Sequence, residues 1–175
     1  FSKNGIHATT TRLIAQHAEV NEVTLFRNFK TKMDLFQEVL NVAKKEGFCA
    51  FKVIRPELAP EERLRFLVHN MVRILEERPE FHRIIYHALL DKIEGFEEEF
   101  LKEEQDLLME HVTTNFLELK ELGVVTLDEI PRDLARLLIN NVFGVVITRT
   151  LLTTGPMTEV TQKQLCGTIL NLYLR

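Results

Sequence analysis

Apolar residues recur along this chain at intervals of three and four, the spacing that lines one face of an α-helix. No stretch alternates over strand length with turn signals around it. Leu13, Ile14 and Ala18 share one face of a short helix, and Ala15 is small enough for a crossing helix to approach. Thr10 or Thr9 caps this helix, because a threonine hydroxyl accepts a hydrogen bond from a free N–H of the first turn. Asn21 caps a second helix of about two turns, with Leu25 and Phe29 on its inward side. Val20 and Leu25 clasp its start as a hydrophobic staple does. Thr31 and Asp34 form a capping box, with Asp in place of the usual Glu. That box opens a longer helix carrying Leu35, Phe36, Val39 and Leu40.

Gly47 and Pro56 bracket the end of this helix and a linker. Pro60-Glu61-Glu62 opens the next helix, with Pro in the first turn where its missing N–H has no partner to lose. Leu64, Leu67, Val68, Met71, Val72 and Leu75 give that helix an amphipathic stripe, and Pro79 stops it. A short helix from Phe81 to Leu90 carries Ile84, Ile85 and Leu89. After Gly95 a long helix carries Phe96, Phe100, Leu107, Leu108, Val112, Phe116 and Leu119, and Gly123 closes it at the C′ position. Asp128 or Thr126 starts the next segment, with Pro131 near its first turn; Gly155-Pro156 ends it, and Thr158 opens the last. The predicted fold is all-α. Residues 1–47 form a helix-turn-helix head with its connecting helix, and residues 48–175 form a helical body.

Composition sharpens this only a little. The 175 residues suit one or two small domains, and a 45% hydrophobic share is enough for a real core. The net charge of −4 divides into +2 over residues 1–47 and −6 over the rest, so a mildly basic head sits on an acidic body. That suits DNA at the head. Cys49 and Cys166 fit no metal or redox spacing and read as buried or half-buried free thiols, which suits a reducing cytoplasm. No segment is apolar for long enough to span a membrane, and no signal peptide is visible, so the expected location is cytoplasmic.

Catalytic chemistry finds little footing. The only serine is Ser2, and the seven glycines are too scattered for a phosphate-cradling loop. None of the six histidines lies three residues after an Asp or Glu, and no two are four apart, so helical di-iron and zinc pairs are missing. A Cys–His pair is not excluded by spacing, but nothing favours it. The expectation is a protein that is not an enzyme, with no metal and no cofactor.

Phe1, Gly5, Thr9, Thr10, Ile14, Ala15, Ala18, Val20, Thr24, Leu25, Phe29 and Lys32 fall, without gaps, on a pattern of roughly F-x-x-x-G-x-x-x-T-T, an Ile-Ala pair, then A-G-V-S-x-G-T-L-Y-x-H-F-x-S-K. On these residues the head resembles the DNA-binding domain of the TetR family of bacterial transcriptional regulators. The resemblance implies that Phe1–Gly5 is the end of a first helix and that most of that helix is missing. Several positions depart from the pattern. Glu19 stands where a turn glycine is usual, so the turn is expected to use a conformation that a non-glycine residue accepts. Asn21 replaces a Ser cap, Val23 a second glycine, and Asn28 a His. Phe26 replaces a Tyr whose hydroxyl usually reaches a phosphate.

The second helix of such a unit enters the DNA major groove. Thr10 and Arg12 at one helix start, and Lys30 and Lys32 at another, are the candidate phosphate contacts, helped by free N–H groups there. Glu22, Val23, Thr24, Arg27 and Asn28 are the candidate base readers, with Asn21 and Phe26 beside them. Asn pairs bidentately with adenine, Arg with guanine, and Glu accepts from cytosine N4.

In the body, Phe66, Arg73, His82, Tyr86, His87, Phe116 and Asn141 are candidates to touch a small, partly apolar ligand. The helix from Leu134 to Leu152 is apolar on nearly every face, so it must be buried all round. By the resemblance it and the last helix pair with their copies in a four-helix bundle. The candidate dimer contacts are Leu138, Val142, Val145, Val146, Arg149, Leu165, Ile169 and Leu172. The resulting expectation is a homodimeric, ligand-responsive repressor of a pseudo-palindromic operator. The alternative is a helical adaptor that kept the fold but binds protein partners, with Glu22 and Phe26 as its support.

Overall fold

The computed structural model describes residues 1–43, 55–77, 79–96, 100–126, 128–152 and 157–174. Among these there are nine helices and no strand: α1 Gly5–Ala8, α2 Thr11–His17, α3 Glu22–Asn28, α4 Lys32–Ala43, α5 Pro60–Glu77, α6 Pro79–Leu90, α7 Lys102–Glu121, α8 Pro131–Leu152 and α9 Glu159–Leu170. Gly47, Cys49 and Gly155-Pro156 lie outside the described residues. The chain forms two compact units, one of Phe1–Phe48 with Glu80–Phe100, the other of Cys49–Pro79 with Leu101–Arg175.

The first unit, the head, gathers α1–α4, and residues 80–100 pack with them. Phe36, fully buried, meets Phe1 edge-on with ring centroids 5.4 Å apart and Phe96 at 6.4 Å. Phe96 in turn stacks on Phe100 at 5.5 Å. Phe96 and Phe100, expected inside the long helix, therefore precede α7 and belong to the aromatic core of the head. Phe96 is helical and Phe100 with Leu101 forms a π-helical turn leading into α7, while the boundary between the units falls after Phe100. Pro79 ends α5 and also opens α6 as its first residue, a position where its fixed φ suits the helix. Leu89, expected inward, is exposed.

The second unit, the body, is built round α5, which packs against α7, α8 and α9, while α7 also packs on α8. That is why α5 buries Leu64, Leu67, Val68, Met71, Val72, Ile74 and Leu75, a stripe wider than one face. Val112, Phe116 and Leu119 of α7 and Leu134, Leu138, Val142 and Val146 of α8 complete a core with no exposed surface. Polar links tie the same helices. Arg63 of α5 pairs with Glu118 of α7 at 2.6 Å, and the Glu76 carboxylate accepts hydrogen bonds from Gln162 Nε2 and, at 3.3 Å, the Met157 N–H. Cys166 is buried, and desolvation pushes its thiol pKa up to about 11, so it is an inert core residue.

Four expected dimer contacts are corrected here. Leu138, Val142, Val146 and Ile169 are 0–4% exposed and belong to the body's own core, so they present nothing to a partner. The face one residue round α8 and α9 is the open one: Leu137, Asn141, Gly144, Val145 and Thr148, with Thr168 and Leu172. Leu165 and Arg149 are half-buried.

Three helices end alike. At the C-termini of α2, α6 and α7 the third residue past the helix donates its N–H to the carbonyl five back (Val20 to Ala15, Ile93 to Ala88, Val124 to Leu119, 3.0–3.1 Å). The residue before it bonds three back, completing a Schellman motif. The motif needs a left-handed residue, filled at α7 by Gly123 at φ +70°, but at α2 by Glu19 at +55° and at α6 by Lys92 at +49°. The α2 turn thus keeps the glycine conformation with a glutamate in it, contrary to the expectation that the turn would change. A side chain there costs about 1–2 kcal/mol. Glu19→Gly is therefore expected to stabilise the protein by about 1 kcal/mol and Gly123→Ala to destabilise it by a similar amount. Chemical denaturation measures both, and a loss of stability in Glu19→Gly would show that the glutamate side chain itself is needed.

Candidate nucleic-acid interface

Local chemistry sets the two helices of the head. Thr10 caps α2, its hydroxyl oxygen accepting from Leu13 N–H at 3.1 Å. Thr9, the other candidate, is buried instead and donates to the Gly5 carbonyl at 2.6 Å. Asn21 caps α3, Oδ1 accepting from the Thr24 N–H at 2.7 Å and from its hydroxyl at 2.9 Å. The Thr31–Asp34 box is reciprocal: Thr31 N–H to Asp34 Oδ2 at 2.9 Å, Asp34 N–H to Thr31 Oγ1 at 3.0 Å.

Residues distant in sequence then fix α3 against α2 and close the base of the unit. Thr11 of α2 donates to Glu22 Oε1 of α3 at 2.8 Å, so one candidate base reader holds the two helices together. The Lys32 ammonium, expected on a phosphate, donates instead to the carbonyls of Ile6 (2.6 Å), Thr9 (3.0 Å) and His7 (3.3 Å). All three of its donors meet the C-terminal end of α1, where carbonyls lack helical partners and the dipole favours a cation. Neither link follows a short-range rule. The only sequence signal was that Lys32 falls on the family pattern, and Thr11 and Glu22 had none.

The remaining candidates distribute round α3. Leu25 is buried and Phe29 half-buried on the inner side. Asn28 Nδ2 donates to the Thr24 carbonyl at 2.9 Å, so Asn21, Thr24 and Asn28 form one stripe bonded within itself. Val23, Phe26 and Arg27 point outward, with Val23 69% and Phe26 46% exposed. Arg12, Arg27 and Lys30 are exposed and form no ion pair with a described residue. The head thus exposes both apolar side chains, on α3, and cations, on α3 and at Arg12 and Lys30.

The expected ligand contacts fall in both units, four in the body and three in the head. Within the body, Phe116 is core, its ring 5.6 Å from that of Tyr173, whose hydroxyl accepts from Asn141 Nδ2 at 2.7 Å. Burial raises the Tyr173 pKa, and the Asn141 bond partly offsets this. Arg73 is exposed and bonded to Glu77 and Asn70, and Phe66 lies under the Arg55 guanidinium at 5.4 Å. Within the head, His82 is buried, Tyr86 is half-buried with its pKa raised by desolvation, and His87 lies against Gly5. The head also holds a cleft of about 770 Å³ beside α4, lined by Met33, Phe36, Leu40, Asn41, Glu94 and Phe96 among others, and none of the seven candidates lines it. No cluster of His, Cys, Asp or Glu among the described residues could hold a metal ion, and no described helix is long and apolar enough to cross a membrane.

A capped helix pair with a Schellman turn and an exposed second helix, joined in one chain to a helical body, is the architecture of a helix-turn-helix regulator. Comparison places it more closely. The family described as bacterial regulatory proteins, tetR family, matches residues 1–39. The uncharacterized HTH-type transcriptional regulator YvkB of Bacillus subtilis is 51% identical over 39 residues, 22% of this chain and 21% of that protein. The HTH-type transcriptional regulator QacR of Staphylococcus aureus is 30% identical over 102 residues, 58% of this chain and 50% of that one. The matched stretches thus span half or less of these two relatives. The ketosteroid transcriptional regulator KstR2 of Mycobacterium tuberculosis shares the fold over 100% of this chain and 89% of its own, with TM-score 0.77 and 19% identity. Residues 1–39 thus carry a head of the TetR family, and the chain as a whole shares its all-α fold with such regulators.

The lysine clamp makes a separable prediction. Lys32→Ala is expected to lower stability by about 2 kcal/mol, the scale of charge-assisted hydrogen bonds lost from partly buried carbonyls. Thermal and urea unfolding measure it. A variant as stable as the parent but weaker on DNA would return Lys32 to a phosphate.

Proposed function

We infer that the protein is a ligand-responsive transcriptional repressor that binds a pseudo-palindromic operator in double-stranded DNA as a homodimer. The observation that carries this reading is the outward stripe of α3, Val23, Phe26 and Arg27, flanked by the unpaired cations Arg12 and Lys30. Arg12 and Lys30 suit phosphates, whose contacts set register and orientation, and Arg27 suits a guanine edge. The adaptor alternative loses part of its support, since one oxygen of Glu22 is turned to Thr11.

The open face of α8 and α9 supports the homodimer. Leu137, Val145 and Leu172 are 51%, 39% and 62% exposed. Gly144 and Gly167 stand within helices, and nothing within 4 Å would meet a Cβ at either. A helical glycine costs about 1 kcal/mol against alanine, and nothing described in the chain requires these two. Close approach of a second copy does. By mass action, a small apolar ligand acts only by binding the DNA-competent and DNA-incompetent states differently.

Operator binding is tested with the full-length gene product on DNA from upstream of its own gene, at two salt concentrations and against random competitor. Binding that survives competitor and falls steeply with salt is expected. Arg27→Ala is expected to weaken it at least fivefold, on the scale of about 1–3 kcal/mol for a bidentate base contact. Binding no better than to random DNA, here and from a randomised library, would leave the adaptor. For the dimer, Val145→Glu is expected to halve the mass in sedimentation with helical content unchanged; an unaltered mass would move the interface elsewhere.

A further inference from the structure

We propose that α3 reads DNA chiefly by apolar contact: Val23 and Phe26 seat against thymine 5-methyl groups in the major groove, Arg27 bonds a guanine, and Asn28 and Glu22 read no base. The proposal rests on the DNA-binding reading above and specifies what the head recognises.

Three stripes run along α3, each with a different fate. Glu22, Leu25 and Phe29 face inward, the glutamate held by Thr11. Asn21, Thr24 and Asn28 bond to one another: the Asn21 oxygen accepts twice from Thr24, and the Asn28 amide N–H donates to the Thr24 carbonyl. The bond to the Thr24 carbonyl uses one of the two Asn28 side-chain N–H groups and holds the amide back along its own helix. The third stripe is Val23, Phe26 and Arg27, at i, i+3 and i+4, and so on one face.

On this stripe two of three side chains are hydrocarbon and exposed. Val23 leaves 69% and Phe26 46% of its surface to water, which offers this hydrocarbon no partner. In the major groove the thymine 5-methyl is the one apolar group that a base pair offers, so it is the feature such a surface can select. The neighbouring cations Arg12 and Lys30 fit the phosphates that border the groove, which favours a duplex over a protein partner for the same apolar patch.

The test begins with selection of bound duplexes from a randomised library by the full-length gene product. Each conserved thymine is then replaced by uracil, which removes the methyl and nothing else. The expected result is an enriched sequence with thymines in each half-site, and a loss of roughly fourfold in affinity per contacted methyl replaced, the scale of one buried methyl group. In Val23→Ala at least one of these uracil effects should vanish. An enriched sequence at which no uracil changes affinity by twofold would overturn the proposal and leave the regulator reading standing, as would an enriched adenine whose contact is lost in Asn28→Ala. No enriched sequence at all would overturn both.

Discussion

One ammonium group closes the reading head. Lys32 begins α4 and holds the carbonyls of Ile6, His7 and Thr9, which end α1 just before α2 starts. The helix-turn-helix is the excursion between those two points, and the clamp joins its two ends. Without it three carbonyls at a helix end would lie half-buried and short of donors, and the entry to α2 would be free to move against the exit from α3. Thr11 and Glu22 make a second closure higher up, between the two helices themselves. Together these bonds turn two seven-residue helices, each too short to be stable alone, into a fixed platform.

Within that frame the chain accepts local strain where geometry demands it. The turn between α2 and α3 keeps a left-handed residue although the sequence supplies glutamate, and α6 does the same with lysine. In both, the capping bonds to the last carbonyls and the apolar residue that follows, Val20 or Ile93, offset the cost. The strain is tolerated because a changed turn would re-aim α3, whose direction is what the head exists to set.

How much of this could be read beforehand follows the range of the interactions. Caps at Thr10, Asn21 and Thr31, the box with Asp34 and the glycine stop at Gly123 obey rules spanning three to five residues, and all stand in the structure. The family pattern supplied the head as a whole. Three kinds of feature were not legible. The Lys32 and Thr11 bonds span 11 to 26 residues and have no local signature. The open face of α8 was mis-phased, because a helix apolar on nearly every side carries no periodicity to say which stripe meets its own core. Phe96 and Phe100 share a helical spacing with α7, yet the chain folds them into the other unit. In the candidate reader, position suggested Asn28 and Glu22, and only the structure shows that each also bonds within the head, Glu22 to Thr11 and Asn28 to the Thr24 carbonyl.

The reader proposed above would have a consequence for assembly. A guanine bonded by Arg27 discriminates by about 1–3 kcal/mol, and each thymine methyl adds about 0.8 kcal/mol. With two methyls, one head prefers its half-site by a factor of roughly 10²–10³. Specific DNA-binding proteins work at ratios of roughly 10³–10⁷ against a large excess of other sequence. One copy falls at or below the lower end of that range. Two heads held at fixed spacing multiply their factors to roughly 10⁴–10⁶, within the range. The apolar face of α3 and the open, glycine-bearing face of α8 and α9 therefore belong to one argument: a head with a single charged base reader distinguishes its site adequately only when a second copy reads the other half.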